Sequence, residues 1–320
     1  MPPRFANLDP AHRPHGPWAV FRWGVWERCV RRRPIARAGP PAPRAVTDRG
    51  GLEARGPGVR LTWIGHASFL GRLGDASFLI DPVFSTRIGW VVRRHGRPGL
   101  LPQDLPRVDA LLVTHNHYDH LDAASIRALP RAISVFVPLG LGRWFRRRGF
   151  ERVHELGWWQ AADARSLRIT LVPACHWSRR SIGDTNRSLW GGFVVASAGV
   201  SVYHGGDTAY FAGFREIGRR FPGLDAALLP IGAYAPAWFM ERYHMTPEQA
   251  GRAFLELGAR ELVPMHWGAF KLTDEPLSEP IGRLRTWWGT HVPPGSSRRL
   301  CLPAVGETLT IEAGDGGTRS

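Results

Sequence analysis

Apolar and polar positions divide the chain into two stretches of different character. Up to residue 57 the chain is rich in Pro, Arg and Gly. Only residues 18–33 of this stretch carry apolar side chains at helical spacing, namely Trp18, Phe21 or Arg22, Val25 or Trp26, and Cys29 or Val30. From Val59 onwards, short apolar runs are separated by Gly, Pro and Asp. We predict an N-terminal extension over residues 1–57 and one folded domain over residues 58–320.

Nine apolar segments of this domain predict β-strands, because each is short and bounded by turn-forming residues. They are VRLTWIGHASFLGRL, ASFLIDP, DALLVTH and VFVPLG, followed by LRITLVPACH, LWGGFVVAS, VSVYHGGDT, AALLPIGA and LVPMHWG. Helical segments lie between them. The segment MTPEQAGRAFLELG begins with Thr246 as N-cap, has Pro247 in its first turn and closes a capping box with Gln249. Two groups of strands with intervening helices predict an α+β fold, an αββα sandwich of two packed mixed sheets flanked by helices.

The formal net charge of +15 changes this picture little. Lys271 is the only lysine among 42 basic residues, and such an arginine bias, together with abundant Gly, Pro, Ala and Trp, is what a GC-rich coding sequence gives without selection for an anionic partner. We find no aromatic-basic module and expect no nucleic-acid partner. Three widely spaced cysteines, no secretory signal and no long apolar stretch predict a cytoplasmic protein.

The segment of residues 18–33 has two interpretations. Its tryptophans and arginines suit a helix that lies in a membrane interface, which would place the protein at the inner face of the membrane. The alternative is a helix that docks on the apolar surface of its own domain. Periodicity does not separate the two.

Acids and histidines stand at the C-terminal ends of the apolar segments. Asp81, His115, His176, Asp207 and His266 each follow a different predicted strand. Strand ends on one edge of a sandwich can converge, so we expect these side chains to lie together.

The segment THNHYDHLD adds ligands at short spacing. His115 and His117 are one residue apart and can face one metal ion, and His176 would complete a three-nitrogen set. Three imidazoles and an open position are typical of catalytic zinc.

A second position follows from the same segment. Asp119 and His120 point to it, His266 would complete it, and Asp207 can bridge two ions through its two oxygens. A water molecule between two divalent ions loses a proton near neutral pH and becomes a nucleophile. The set suits zinc, iron or manganese, and we predict two zinc ions per chain.

These motifs resemble known hydrolases. THNHYDHLD is similar to the signature of the metallo-β-lactamase superfamily, which has an αββα sandwich and usually two metal ions. Flanking segments resemble N-acylphosphatidylethanolamine-hydrolysing phospholipase D and its bacterial relatives over roughly residues 55–280. They are WIGHASF, LIDPVFSTR, HNHYDHLD, VPLGL, CHWSRRSIGDTNRSLWG, GGDTAYFAGFREIGRRF, LLPIGAYAPAWFM, YHMTPEQA and MHWGAF.

The resemblance implies roles for individual residues. His115, His117 and His176 would bind one zinc ion, and Asp119, His120 and His266 the other, with Asp207 between the two ions. Asp81 would orient a ligand or the water, and His244 would lie near the substrate phosphate. Asp119, His244 and Asp81 are therefore the predicted catalytic residues.

The implied reaction is a phospholipase D type cut of N-acylphosphatidylethanolamine or a related glycerophospholipid. Trp177, Trp190, Trp238, Phe239 and Trp267 either line an acyl-chain channel or fill the core. The alternatives are a lactonase or another carboxyl-ester or amide hydrolase of the same fold, and then a nuclease. Homodimer formation stays open at this point, because the sequence does not determine the oligomeric state.

Overall fold

The computed structural model describes residues 4–10, 12–30, 36–47, 49–54, 56–89 and 91–313. Strands in chain order are β1 (Val59–Gly65), β2 (Ser68–Leu73), β3 (Ala76–Ile80), β4 (Arg87–Ile88), β5 (Val92–Arg93), β6 (Ala110–Leu112), β7 (Ser134–Pro138), β8 (Val153–Leu156), β9 (Ala161–Ala164), β10 (Leu167–Val172), β11 (Gly192–Ser197), β12 (Val200–His204), β13 (Ala226–Pro230), β14 (Glu261–Met265), β15 (Arg299–Leu300) and β16 (Thr308–Ile311). Helices are α1 (Pro17–Phe21), α2 (Arg49–Glu53), α3 (Ala123–Arg127), α4 (Gly142–Arg146), α5 (Gly213–Arg220), α6 (Ala237–Met240), α7 (Pro247–Leu257) and α8 (Glu279–His291), with a π-helical segment over Arg22–Val30 and a 3₁₀ turn over Pro102–Asp104.

The strands form two seven-stranded sheets and one small hairpin of β4 and β5. The first sheet has the order β16-β1-β2-β3-β6-β7-β8, and the second has the order β15-β14-β13-β12-β11-β10-β9. In each sheet one half is antiparallel and the other half parallel. Strands β3, β6, β7 and β8 run parallel in the first sheet, as do β12, β13, β14 and β15 in the second. The predicted pair of mixed sheets is thereby confirmed.

Apolar side chains fill three layers. Between the sheets, Phe69 and Phe78 of the first sheet belong to the same buried cluster as Phe193 of the second. The outer face of the first sheet packs with α3 and α4 through residues such as Ile126 and Phe145. Helices α5, α7 and α8 cover the second sheet. Helices therefore lie on both outer faces, and the αββα sandwich is confirmed.

Local signals in the sequence match several element boundaries. The Asp122 side chain accepts a hydrogen bond from the Ser125 amide and caps α3. Thr246 and Gln249 form the predicted capping box of α7, which ends at Gly258 in a left-handed conformation. The segment VRLTWIGHASFLGRL contains two antiparallel strands, β1 and β2, which are joined at residues 66–67.

The predicted helix of residues 18–33 is α-helical only in its first turn, so this prediction was wrong in part. Helix α1 ends at Phe21, the π-helical segment follows, and residues 31–33 lie outside the described residues. A π-helix has more residues per turn than an α-helix, so the α-helical spacing does not continue beyond α1. Among the described residues, no helix combines the length and apolar character needed to cross a bilayer.

The inter-sheet core makes a testable contribution to stability. Phe193 is fully buried, and we expect Phe193→Ala to lower the free energy of unfolding by about 3–5 kcal/mol, because it leaves a cavity. Urea denaturation measures this change. Val46 is 97% exposed, and Val46→Ala should change the same quantity by less than about 0.5 kcal/mol. Equal effects of the two substitutions would contradict the assigned core.

Candidate metal centre

The parallel halves of both sheets direct their C-terminal strand ends towards one place. Four almost fully buried side chains follow such ends, namely Asp81 after β3, His115 after β6, Asp207 after β12 and His266 after β14, and a fifth, His176, follows β10 of the antiparallel half. Three of these strands lie in the second sheet and two in the first. The site is therefore built at the edge where the two sheets meet.

The first cluster contains three imidazoles. His117 Nδ1 lies 2.9 Å from His115 Nε2 and 3.2 Å from His176 Nε2. Asp207 Oδ2 lies 3.8 Å from both His115 Nε2 and His176 Nε2. The structure thus brings together the three histidines expected at one ion and one oxygen of the expected bridging carboxylate.

The second cluster is centred on Asp119. Its Oδ2 lies 3.4 Å from His266 Nε2 and 3.8 Å from His120 Nε2. His66, to which the sequence analysis gave no role, is also present, with Nε2 3.0 Å from Asp119 Oδ2. Four potential ligand atoms within 4.8 Å of one another therefore form this cluster.

Asp207 connects the two clusters. Its Oδ2 faces the first cluster, whereas its Oδ1 lies 3.2 Å from His120 Nε2 and 3.1 Å from His266 Nε2 in the second. One buried carboxylate thus presents a separate oxygen to each group of imidazoles, which is the arrangement of a ligand shared by two ions.

The hydrogen-bonding of these atoms agrees with bound cations. Asp207 Oδ1 and the Nε2 atoms of His120 and His266, which face one another in the second cluster, are buried and have no hydrogen-bond partner among the described residues. A buried polar group without a partner is costly, and such groups call for an explanation. Because these three atoms converge on one point, a divalent ion in the second cluster would satisfy them.

Neighbouring groups hold two of these rings in place. His120 Nδ1 lies 2.7 Å from Asp81 Oδ2, and the same carboxylate accepts hydrogen bonds from the Thr114 hydroxyl and amide. His176 Nδ1 lies 3.0 Å from the Tyr243 carbonyl oxygen. In both rings the partner binds Nδ1 and leaves Nε2 directed into the site, as is usual for metal-binding histidines.

Electrostatics keeps most of the imidazoles neutral. Burial lowers the pKa of His117 to about 4 and that of His66 to about 3, and it lowers the pKa of His115 and His176 well below the usual value. A neutral imidazole has a free lone pair for a metal ion.

The other two imidazoles, those of His120 and His266, carry positive charge that balances the negative charge of the two carboxylates. Burial opposes charge on His120 and His266, but the adjacent Asp207 raises the pKa of His120 well above its usual value and that of His266 to about 9. Burial likewise opposes charge on Asp119 and Asp207, but the His120 ring holds both carboxyl pKa values well below the usual range. Both carboxylates are thus matched by positive charge, a role that bound cations would take over.

Three residues of the site have left-handed backbone conformations that side chains rarely adopt. Their φ angles are +57° for His66, +44° for Asp81 and +61° for His266. The His66 carbonyl oxygen accepts hydrogen bonds from the His266 amide and the Trp63 indole, which stabilise this turn. Strained backbone of this kind concentrates at functional sites.

His244 lies beside both clusters. Its ring centroid is 5.2 Å from that of His176 and 5.4 Å from that of His266, and its Nδ1 is buried without a hydrogen-bond partner in the described part of the chain. Burial lowers its pKa to about 4. The structure therefore places it with the other predicted site residues.

The segment that carries four of these side chains is held by Arg180. This guanidinium donates to the carbonyl oxygens of Asn116 and Leu121, at the two ends of the turn, and its centre lies 4.2 Å from the Tyr118 ring centroid. His66 and Arg180 were not among the predicted site residues. Both stand in motifs that carried the resemblance, WIGHASF and CHWSRRSIGDTNRSLWG, and those motifs were the available signal.

The aromatic residues near the site divide into two groups. Trp190 and Trp267 are almost fully buried, and Phe239 is 7% exposed beneath the N-terminal segment. Trp177 and Trp238 are half-buried, and Trp177 lies 4.8 Å from the His117 ring. Of the five, only this second pair is partly exposed.

Comparison with known proteins agrees with the fold. The family model described as the Beta-lactamase superfamily domain matches residues 77–267. The chain belongs to this superfamily and has the metallo-β-lactamase fold.

Among its relatives, the uncharacterized protein Rv0906 of Mycobacterium tuberculosis is 38% identical over 88% of this chain and 77% of its own length. N-acyl-phosphatidylethanolamine-hydrolyzing phospholipase D 1 of Caenorhabditis elegans is 34% identical over 71% of this chain and 69% of its own length. A UPF0173 metal-dependent hydrolase of Rubrobacter xylanophilus is 34% identical over 67% of this chain and 83% of its own length. Among solved structures, Igni18, a metallo hydrolase from Ignicoccus hospitalis, superposes with a TM-score of 0.61 at 25% identity and covers 79% of this chain and 98% of its own. This protein is a metal-dependent hydrolase of the superfamily.

The contact between His66 and Asp119 predicts a measurable effect on metal binding. His66→Ala removes the hydrogen-bonding partner of Asp119 Oδ2, so the carboxylate is free to rotate. We expect the affinity of the second cluster for a divalent ion to fall by about 10–100-fold, as measured by competition titration with a chromophoric chelator.

His204 provides the control for this experiment. It is also buried, but in the described part of the chain its ring nitrogens bond to the Ala67 carbonyl oxygen and the Gly206 amide and to no cluster residue. His204→Ala should leave the affinity of both clusters near the wild-type value. Equal losses in the two variants would show that His66 has no specific effect on Asp119.

Proposed function

We propose that this protein is a phosphodiesterase that hydrolyses N-acylphosphatidylethanolamine, or a related glycerophospholipid, by a phospholipase D type cut. The observation that carries the proposal is the pair of clusters joined by Asp207, whose two oxygens face different groups of imidazoles. The substrate class is supported by the 34% identity to the nematode N-acyl-phosphatidylethanolamine-hydrolyzing phospholipase D 1.

Two zinc ions are the proposed cofactor. His115, His117 and His176 would hold one ion and Asp119, His120 and His266 the other, with Asp207 shared between them. Bound in this way, two divalent ions would neutralise phosphate oxygens and lower the pKa of a water molecule to near neutrality.

The residues around the clusters would keep the site in its reactive geometry. Asp81 holds the His120 ring through Nδ1, and His66 and Asp119 hold one another. Asp119 and Asp81 thereby act together at the second cluster. Their buried carboxylates would repel an anionic substrate unless bound cations balanced the negative charge.

His244 is proposed to contact the substrate phosphate or the departing oxygen. It lies between the rings of His176 and His266, one from each cluster, and its Nδ1 is free to form a hydrogen bond. In the overall reaction, the oxygen of water forms the new bond to phosphorus, and the bond to the ethanolamine oxygen breaks. The departing oxygen takes up a proton, which gives phosphatidic acid and N-acylethanolamine.

The first test compares the wild-type protein with His115→Ala. We expect about two zinc ions per wild-type chain by elemental analysis. We also expect turnover of bis(p-nitrophenyl) phosphate and of N-acylphosphatidylethanolamine micelles that a chelator abolishes. His115→Ala should lower both rates by more than about 100-fold, because even partners of metal ligands contribute 10–100-fold.

His291 in α8 provides a matched control, since it is exposed and its ring contacts only its own helix. His291→Ala should keep both metal ions and both rates. If the protein bound two ions and hydrolysed the diester but not the lipid, the proposed lipid substrate would be refuted. Turnover of a chromogenic lactone instead would favour the lactonase alternative.

We further propose that the N-terminal segment contacts the lipid surface. The apolar stripe, defined as Trp18, Phe21, Val25, Trp26 and Val30, consists of side chains that are between 42% and 72% exposed. Trp23 stacks on Phe239 at 4.8 Å, and Arg22 lies 4.3 Å from the Trp238 ring. The segment is therefore docked through other residues, and its stripe is left available beside α6.

This contact predicts selective loss of membrane binding. We expect Trp18→Glu and Trp26→Glu each to weaken sedimentation with phosphatidylcholine–phosphatidylglycerol vesicles by about tenfold or more, because burying a large apolar side chain contributes about 1.5–3 kcal/mol. Turnover of bis(p-nitrophenyl) phosphate should not change. Val46→Glu, at an exposed position outside the stripe, is the control. Unchanged sedimentation of both tryptophan variants would exclude this surface.

A further inference from the structure

The N-terminal strap, defined here as residues 4–10 and 12–26, reaches the loop that carries His176. The carboxamide of Asn7 makes four hydrogen bonds, three of them to this loop and one within the strap. Its Nδ2 donates to the carbonyl oxygens of His176 at 2.9 Å and of His12 at 2.7 Å. Its Oδ1 accepts from the His176 amide and the Trp190 indole, both at 3.1 Å. A single side chain thus satisfies both backbone groups of a predicted metal ligand.

The location of His176 explains why such a partner is needed. Strand β10 ends at Val172, so the backbone of His176 has no ladder partner in the sheet. The Asn7 carboxamide offers one donor and one acceptor to the same residue, as a neighbouring strand would. With its backbone held by Asn7 and its Nδ1 by the Tyr243 carbonyl oxygen, the His176 ring directs Nε2 towards His117 and Asp207.

The strap also contacts Tyr243, whose carbonyl oxygen holds the His176 ring. The His15 amide donates to the Tyr243 hydroxyl, and His15 Nε2 lies 3.0 Å from the Phe239 carbonyl oxygen. The His15 and Phe239 rings stack at 4.6 Å. The strap therefore supplies one of the two residues that hold His176, Asn7, and contacts the other, Tyr243.

We propose that Asn7 is a positioning residue for the first cluster, and that the N-terminal strap is a structural part of the metal centre. Asn7 contacts neither substrate nor ion and acts through the backbone of His176. The inference rests on the metal centre of the proposed function. It adds to that function a requirement for a segment that precedes the two sheets in the chain.

The test compares Asn7→Ala and Asn7→Asp with the wild-type protein after loading with Co²⁺, whose visible absorption reports ligand geometry. Asn7→Asp has the shape of asparagine but cannot donate to the His176 carbonyl oxygen, so a loss in this variant does not arise from a cavity. His176→Ala supplies the reference spectrum for a damaged first cluster. We expect both Asn7 variants to bind one of the two ions about tenfold more weakly, with a spectral change that matches the His176→Ala difference.

Asn186 supplies the matched control, because its Oδ1 accepts from the Ser178 amide in the same loop but makes no bond to His176. Asn186→Ala should bind both ions as the wild-type protein does. Wild-type affinity and spectrum in Asn7→Asp would overturn the inference. A lower midpoint of thermal unfolding with both affinities unchanged would also overturn it, because Asn7 would then only stabilise the fold. Wild-type protein that binds no Co²⁺ would refute the proposed metal centre, and this inference with it.

Discussion

Buried negative charge is the constraint on which the site depends. Asp119 and Asp207 stand where burial alone would favour their neutral forms, yet both remain ionised because positive groups surround them. An uncompensated carboxylate in such a place would destabilise the fold strongly, so the histidines around it have to be placed accurately. A metal-dependent hydrolase meets this requirement with cations, and the same cations carry the chemistry.

The two-sheet architecture supplies that accuracy. Each sheet has a parallel half, and parallel strands deliver their C-terminal ends to one edge. Each of these site residues stands one to four positions beyond the end of its strand, so the direction of the strand largely determines the position of the side chain after it. Left-handed turns at His66, Asp81 and His266 then rotate these side chains into the site. The backbone strain is tolerated because hydrogen bonds between the hairpin and the β14 end hold the turn.

The N-terminal residues add contacts around the site that the sandwich itself does not provide. They contact the His176 loop through Asn7 and the loop around α6 through His15 and Trp23. The exposed stripe on the same segment lies next to α6. Under the proposed function, the element that contacts the lipid surface and the element that holds His176 are therefore parts of one continuous segment. This proximity would bring a lipid headgroup to the site without a separate domain.

Several properties of this protein follow from its sequence alone. Alternating apolar runs and turn residues identify the strands, because burial in a sheet leaves that pattern, and the Thr246–Gln249 box marks where α7 begins. The close spacing within THNHYDHLD identifies a cluster of donors, since neighbours in the chain are neighbours in space. Short, partly exposed strands such as β8 and β9 lack a strong apolar pattern and were missed. Only the tertiary structure shows that His66 meets Asp119, that Asp207 turns one oxygen to each cluster, and that Asn7 binds His176 across 169 positions. These contacts join residues far apart in the chain, and their geometry depends on how the two sheets pack, which local patterns do not encode.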